Sequence, residues 1–570
     1  MLAISINNKQ LRVKIFIGII TAIVLVLLVN FSYKKYVVWD IAPEMSAAFT
    51  PVNLDSIDDF VRLIQNDQYR NKINRSKIIS FGEATHGTLA FRKAFVRLTQ
   101  GLILKNKVKI VMFTERDFSE SLELKDELID NTSKAVTDFI LFPYSSLIEK
   151  EFVYWVKNYN KTQSPDNKVW IVGGDLFTPK YSAWNALLFC AKHKIQLPGK
   201  TRNLLKEISS LPINYPIFKQ KYQLATVLNI LEPVKNEVLQ NTVDKQVFDD
   251  SDLWLLQSVL NLEKSIKFVY TGKQQLRDEG MFSNLQWLVS RRPTSKIMLF
   301  GHNAHLEKQT GNTLSANSPR LGWTLEKIYT DKYFAIGSET EKGFYRSGPN
   351  RRTFAIPESG GKIGAVIART VASNNGFLNL HYSGKIESFF NKDHYITYGV
   401  LDSDAPTYPL MKNTADAFDS IFWCRESEPL TVSDFNNFAL LFIKSKQNSK
   451  TIFDKKVINV SVDAIVDTVA NKPLVNDKLY LSVVYFANRK LLDLNIKKIT
   501  PLNNYLNFSI PPRCDSLTVF LSGENIRKIN LRNFKINNTP ILFKNAYFEG
   551  ANFEKKLTND SSFSLLFREH

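Results

Sequence analysis

The stretch Lys77–Leu98, "KIISFGEATHGTLAFRKAFVRL", holds the change of texture on which the fold turns. Four strand-forming residues, Ile78 to Phe81, stop at Gly82. Glu83 and His86 follow, and then a run with helical spacing begins. A continuous apolar run of this length suits a strand buried on both faces, as in a parallel sheet. The pattern returns downstream: "KIVMFTE" runs from Lys109 to Glu115, "KVWIVGGD" from Lys168 to Asp175, and "KIMLFGHNAH" from Lys296 to His305. Each run opens with a lysine, breaks at or near Gly or Thr, and ends in an acid or a histidine. "KYFAIGSE", ending at Glu339, has the form of a fifth.

Between these runs lie stretches with helical spacing, such as "LAFRKAFVRLTQGLIL" and "MFSNLQWLVSRR". Strand alternating with helix predicts an α/β fold, a mainly parallel sheet flanked by helices. In such a sheet the carboxyl ends of the strands share one side, and ligands bind in the crevice there. Glu83, His86, Glu115, Asp175, His302 and His305 are therefore expected to converge across more than two hundred residues of sequence. The chain has 7 histidines, and three of them fall at two of these strand ends. A lone acid after a strand is as readily a helix cap as a functional group, and Asp175 stays open to both readings.

At 570 residues, with 44% hydrophobic and 12% aromatic content, the chain is long enough for two or three domains with sizeable cores. The net charge is +19; from Asn436 onward there are 20 Lys/Arg against 11 Asp/Glu, so nearly half of the excess sits in the last quarter. Zinc-finger spacing, an RNP-like aromatic pattern and a basic heptad arm are all absent, so no nucleic-acid partner is expected. A solvated basic face is one reading, and attraction to an anionic envelope surface or polysaccharide is the other. The 3 cysteines are far apart without a CxxC, which argues against a disulfide framework or a zinc ribbon.

Three regions are expected. Near the start, "IFIGIITAIVLVLLV" (Ile15–Val29) follows Lys9, Arg12 and Lys14, and no small-x-small cleavage site comes after it. It predicts an uncleaved signal-anchor transmembrane helix over residues 1–33, with the rest of the chain extracytoplasmic, in a periplasm or at a cell surface. Residues 34–435 form the α/β region. From 436 to 570 the texture changes to short alternating runs, among them "LYLSVVYF", "YLNFSI" and "SLTVFLSG", which predict an all-β sandwich or jelly roll. The closing pair, "DSLTVFLSGENIRKINLRNFKI", is similar to the last strands of carbohydrate-binding jelly-roll modules. A glycan or anionic-surface partner and a plain scaffold are both compatible with it.

The blocks "GEATHGTLAF", "FTERDFSESLEL", "LRDEGMFSNLQWL" and "GHNAHL" resemble, in order and rough spacing, the signature blocks of the erythromycin esterase family. "PRLGWTLEKIYTDKYFAIGSETEKGFY" and "AFDSIFWCRESEPL" resemble later family segments, so the likeness spans about residues 50 to 435. It implies an ester hydrolase with a catalytic glutamate and histidine at Glu83 and His86, a second glutamate at Glu115, and a histidine pair at His302 and His305. It also implies an arginine early in the following helix, for which Arg92 and Arg97 both qualify; with Asp175 they are the candidates for holding substrate. Phe300-Gly301 departs from the bulky aromatic that many members carry before the first histidine of the pair.

Ester hydrolysis needs a nucleophile, a proton acceptor and stabilisation of the oxyanion. No G-x-S-x-G elbow occurs, so attack by water on an ester or lactone is expected rather than an acyl-enzyme. His86 is the candidate base, oriented by Glu83 or Glu115, with His302 or His305 stabilising the oxyanion or protonating the leaving alkoxide. No cofactor is expected on this reading. Two His and two Glu could also coordinate zinc, and distant families sharing a Gly-x-x-His block include metalloproteases and haem-binding lipoproteins. The rival from another class is a catalytically silent envelope protein that binds carbohydrate.

Overall fold

The structure, a computed structural model, describes residues 40–122 (Lys107 apart), 147–210, 222–243, 248–309, 320–347, 352–358, 362–399 and 406–430. Beyond them it describes residues 438–444, 457–468, 479–487, 490–499, 505–510, 516–523, 526–540, 553–559 and 562–567, with 512 and 514. The predicted membrane span lies outside the described residues. Among those described, no helix is long and apolar enough to cross a membrane.

The apolar runs form the centre of a nine-stranded sheet. Its strands are β1 (Phe49–Pro51), β2 (Ile78–Glu83), β3 (Val108–Asp117), β4 (Trp170–Asp175), β5 (Lys296–His302), β6 (Tyr333–Ser347), β7 (Arg352–Ile356), β8 (Asn375–Asn379) and β9 (Ser420–Ser427). The order is β1-β8-β9-β6-β2-β5-β3-β4, with β7 on β6. From β9 across to β4 every neighbouring pair is parallel, while β1, β7 and β8 pair antiparallel at the margins.

Alternation along the buried strands sends successive residues into two separate cores. Ile79, Phe81, Val111, Phe113, Met298 and Phe300 face helices α1 (Ile57–Gln65), α2 (Leu89–Asn106) and α3 (Leu147–Lys161). Ile78, Ile110, Met112, Val172, Ile297 and Leu299 face the other side. There the cover is α4 (Pro179–Lys192), α5 (Asp250–Thr271) and α6 (Gln274–Arg291), together with helices over 199–210, 224–243, 321–329 and 363–370. Local signals set the helix ends. Ser56 caps α1 by accepting from Asp59 N, Asp249 caps α5 by accepting from Asp252 N, and Gly272, at φ 67°, closes α5.

The strand-initial lysines have a structural task. At the amino ends of β2 and β5, Lys77 donates to the carbonyls of Pro293 and Ser295, and Lys296 to those of Ile73 and Asn74. Those carbonyls lie where helices finish, so the ammonium groups satisfy exposed acceptors at the negative ends of helix dipoles.

Past residue 437 the described strands pair antiparallel throughout. A four-stranded sheet runs Phe438–Lys444, Ser516–Gly523, Leu479–Ala487, Lys490–Ile499, and a six-stranded one is built on Val457–Thr468 and Ile526–Ile536. Burial alternates where it is described, as at Ile458 and Val460 or Leu481, Val483 and Tyr485.

Candidate active site

β2 ends at Glu83, whose register partner on β5 is His302, so two of the expected residues are side by side as soon as the parallel pair forms. β3 contributes the next group through an irregularity. It leaves its ladder with β4 between Phe113 and Asp117, and the bulged residues include Glu115. A bulge at a strand end re-aims a side chain, and here it brings Glu115 to His86.

His86 sits on the turn after β2. Its backbone N–H donates to Gly399 O (3.1 Å), Gly399 N–H donates to Ala84 O (3.0 Å), and Leu430 N–H donates to Gly87 O (2.6 Å). Gly87 has φ 83°, a left-handed conformation that suits glycine and lets the chain turn into α2.

The cluster is dense in charge. His86 Nδ1 lies 2.7 Å from Glu83 Oε1 and 3.0 Å from Glu115 Oε1. Arg92, on the first turn of α2, donates Nη2 to Glu83 Oε1 (2.8 Å) and Glu115 Oε2 (2.9 Å), and Nη1 to Glu149 Oε1 on α3 (2.7 Å). The guanidinium carbon stands 4.4 Å from the centre of the Phe300 ring, so the departure noted at Phe300 places an aromatic face beneath the arginine. Glu83 is 0% exposed and Arg92 1%. Three carboxylates thus share one guanidinium and one imidazole away from bulk water.

Proton affinities follow from that sharing. Burial pushes Glu83 up to about 7, with the charge of Glu115 adding and Arg92 and His86 opposing. Burial resists a charge on His86, but Glu115 and Glu83 outweigh it and push the imidazole up to about 9. Burial would also raise Glu115, yet Arg92 and His86 hold it well below the usual carboxylate range. The cluster therefore keeps a proton between His86 and Glu83 at neutral pH.

The second histidine pair divides. The His302 ring lies 4.9 Å from that of His86, but both of its nitrogens are committed to backbone. Nδ1 accepts from Ala304 N–H (3.1 Å), which leaves Nε2 to donate to Ala84 O (3.0 Å). Burial, then His86 and His305, push its pKa well below the ordinary value. A neutral ring capping α7 (Asn303–Leu306) has no nitrogen to offer an oxyanion or leaving group, and the catalytic role expected for His302 is corrected accordingly. His305, on α7, bonds through Nδ1 to Asp278 Oδ1 (2.9 Å) and keeps some exposure.

Three further expectations are corrected. Asp175 is 1% exposed and neither presents itself to substrate nor caps α4, whose N-cap is Thr178. It holds Arg277 of α6 through Nε (2.9 Å to both oxygens) and Nη2 (2.6 Å). Of the two candidate arginines, Arg92 joins the carboxylates, whereas Arg97, five residues on and so on another face of α2, bonds Gln100. Glu339 lies within β6 rather than at its end, and accepts from Thr397 N and Oγ1.

Sequence reasoning missed Glu149, Arg277 and Asp278. Glu149 lies at the start of α3 with no local signal. Arg277 and Asp278 stand inside the quoted block "LRDEGMFSNLQWL", where the pairing of an arginine and an acid on an early helical turn was the available clue.

Glu83, His86 and Glu115 each offer a ligand atom within 4.8 Å of one another, a donor set that could hold an ion. One oxygen of each of these carboxylates, Glu83 Oε1 and Glu115 Oε2, already accepts from Arg92.

Fold and cluster together define an α/β protein with an acid–histidine centre at the carboxyl ends of its parallel strands. The family profile described as erythromycin esterase matches residues 111–427, and the chain belongs to that family. The matched span takes in Glu115, His302 and His305 and starts after Glu83 and His86. Family membership points to hydrolase chemistry.

Among solved structures, a Bacillus cereus protein is similar at 17% identity and a TM-score of 0.60, over 69% of this chain and 98% of that one. A protein described as a succinoglycan biosynthesis protein is similar at 18% identity and a TM-score of 0.59, over 70% of this chain and 98% of its own. Both share the fold. A mutant of the erythromycin esterase EreC in its open conformation matches at 14% identity and a TM-score of 0.49, over 65% of this chain and 94% of that one.

Proposed function

We propose that this protein is a membrane-anchored, extracytoplasmic hydrolase that opens an ester or lactone by direct attack of water, with macrolides among the candidate substrates. The observation that carries this reading is the contact of one imidazole, His86 Nδ1, with two carboxylates at 2.7 and 3.0 Å where the parallel strands end. Nδ1–H donated to a carboxylate fixes the tautomer in which Nε2 is the basic nitrogen. Nε2 takes a proton from water as the water oxygen bonds to the acyl carbon. Glu83 and Glu115 stabilise the imidazolium so formed. Arg92 holds both carboxylates in place and keeps Glu115 ionised.

The metal-dependent alternative uses the same Glu83, His86 and Glu115 donors. The bonds of Arg92 to two of those carboxylates favour the metal-free route, because a dication would have to displace a buried guanidinium.

The test is a hydrolysis screen of protein lacking residues 1–33 over macrolides, simple lactones and acyl esters, before and after exhaustive chelation. Turnover that survives chelation is expected. Activity lost to a chelator and restored by zinc would replace the free base with a metal-bound water. No turnover of any compound would sink the enzyme reading in favour of a silent binding protein.

A further inference from the structure

We infer that Glu339, buried within β6, is a positioning residue for His86 and acts on it through the segment Thr397–Gly399. This rests on the hydrolytic reading above and gives that site a control over kcat from outside the acid–histidine cluster.

The segment belongs to a narrow antiparallel ribbon beside the main sheet. His394–Tyr395 pairs with Leu410–Met411, Ile396 N–H donates to Pro409 O (3.2 Å), and Tyr398 and Thr407 exchange both backbone bonds (2.9 and 2.8 Å). Three successive ribbon residues then meet three neighbouring elements. Thr397 donates its N–H to Glu339 Oε2 (2.7 Å) and its hydroxyl to Glu339 Oε1 (2.5 Å), on β6. The Tyr398 ring stands edge-on to the ring of His302, centres 4.6 Å apart, at the end of β5. Gly399 accepts from His86 N–H and donates to Ala84 O, on the turn after β2.

These contacts close a ring. The pairing of β2 with β6 ends at Phe81 and Ile336, and β6 runs on to Ser338 and Glu339. Ser338 Oγ accepts from Ala84 N–H (2.8 Å), so it holds the start of the turn that carries His86. Asn303 fixes Ser338 in its place (3.0 and 3.1 Å). Glu339, the next residue, holds the same turn by a second route, through Thr397 and Gly399. The seat is tight. A Cβ on Gly399 would fall 2.8 Å from the Tyr345 ring and 2.9 Å from Thr85 Cγ2. A shift of the ribbon is therefore passed on to the backbone of His86 rather than absorbed.

An ionised carboxylate satisfies every donor at this point. Glu339 is 1% exposed, and its Oε1 also accepts from Thr340 N–H (2.8 Å). Burial raises its pKa while the charge of Lys362 and the bonds from Thr397 lower it, so carboxylate and ribbon hold each other. A carboxamide of the same shape must turn its NH2 toward the N–H of Thr397 or that of Thr340, which leaves a buried donor unpaired.

The test compares full-length protein in detergent as wild type, Glu339→Gln, Thr397→Val and the double variant, with p-nitrophenyl butyrate. Glu339→Gln should lower kcat by about 10²-fold with KM changed less than about threefold, because a misplaced base costs rate rather than substrate binding. Thr397→Val keeps the N–H and removes the hydroxyl. It should cost about tenfold alone and little in the Glu339→Gln background. The rate limb of His86, which Glu115 and Glu83 push up to about 9 against burial, should fall by about one pH unit in Glu339→Gln as those contacts lengthen. A loss of urea stability with kcat and the limb unmoved, as a merely structural role would give, would overturn the inference. So would additive losses in the double variant. If Glu339→Gln does not fold, Thr397→Val carries the same comparison. A wild type that leaves p-nitrophenyl butyrate intact counts against the hydrolytic reading instead. Histidine NMR then decides, and a His86 titration identical in wild type and Thr397→Val overturns the positioning role.

Discussion

Five side chains, Glu83, His86, Arg92, Glu115 and Glu149, meet in one buried cluster of charge. Removing the base, His86→Ala, should lower kcat by about 10²- to 10⁴-fold, and Glu115→Gln nearly as much, as stopped assays on any substrate from the screen will read. The pH profile gives a sharper check. Activity requires neutral His86, and the two carboxylates push that imidazole up to about 9, so the rate should climb with pH well beyond an ordinary histidine limb. Glu115→Gln should move the limb down; a wild-type limb near 6.5 would refute the coupling. Arg92 has another kind of importance. Arg92→Leu strands three carboxylates away from water, and urea unfolding should show about 3–5 kcal/mol less stability. Glu83, His86 and Glu115 were legible in the sequence because each follows an apolar run that could only be a buried strand. Arg97 and Asp175 look identical to functional residues in one dimension. The helical repeat turns Arg97 away from the carboxylates, and a partner 102 positions distant claims Asp175.

At the scale of elements, parallel strands were legible because burial on both faces leaves no polar position to confuse the pattern, and lysine marked each beginning. Tertiary pairing was not. Asn303 bridges β5 to β6 through both bonds of its amide to Ser338, and Ser338 Oγ accepts from Ala84 N at the end of β2, yet none of the three residues is unusual in sequence. The later β region shows the same limit. "LYLSVVYF" and "SLTVFLSG" announced themselves, whereas the strands at Lys490–Ile499 and Ser562–Phe567 carry lysines or serines and became strands through their neighbours. Gly301 illustrates how tightly the elements meet below the site. A Cβ there would fall 2.2 Å from Thr114 Oγ1 and 3.1 Å from its Cγ2, on the strand that presents Glu115. Gly301→Ala should therefore destabilise by about 1–3 kcal/mol and lower kcat by displacing the bulge. Thr114→Ala removes the two nearer atoms and leaves only its Cβ at 3.2 Å, so the double variant should recover most of the loss in a thermodynamic cycle. Additive effects would mean that the clash is relieved elsewhere.

Across the whole molecule, the proposed mechanism ties stability and turnover to the same protons. Within the cluster, two groups bind protons more tightly in the folded state: Glu83, raised from 4.5 to about 7, and His86, raised from 6.5 to about 9. A raised group contributes stability that is complete below its unfolded value and is lost as pH climbs through its folded value. Glu83 therefore withdraws support between about pH 4.5 and 7, and His86 between about 6.5 and 9. Glu115 and Asp278 are depressed, so their contributions fade only as pH falls below the ordinary carboxylate range. Within the cluster these directions make its contribution to stability decline from the acid side of neutrality toward pH 9, while the rate governed by His86 rises over the same interval. The enzyme should be most active where this site supports the fold least. Urea titrations at pH 5, 7 and 9 on wild type, Glu83→Gln and His86→Gln would resolve the two contributions. Glu83→Gln should flatten the lower half of the slope and His86→Gln the upper half. Stability that rises from pH 5 to 9 in the wild type would show that the cluster does not hold its proton in the folded state.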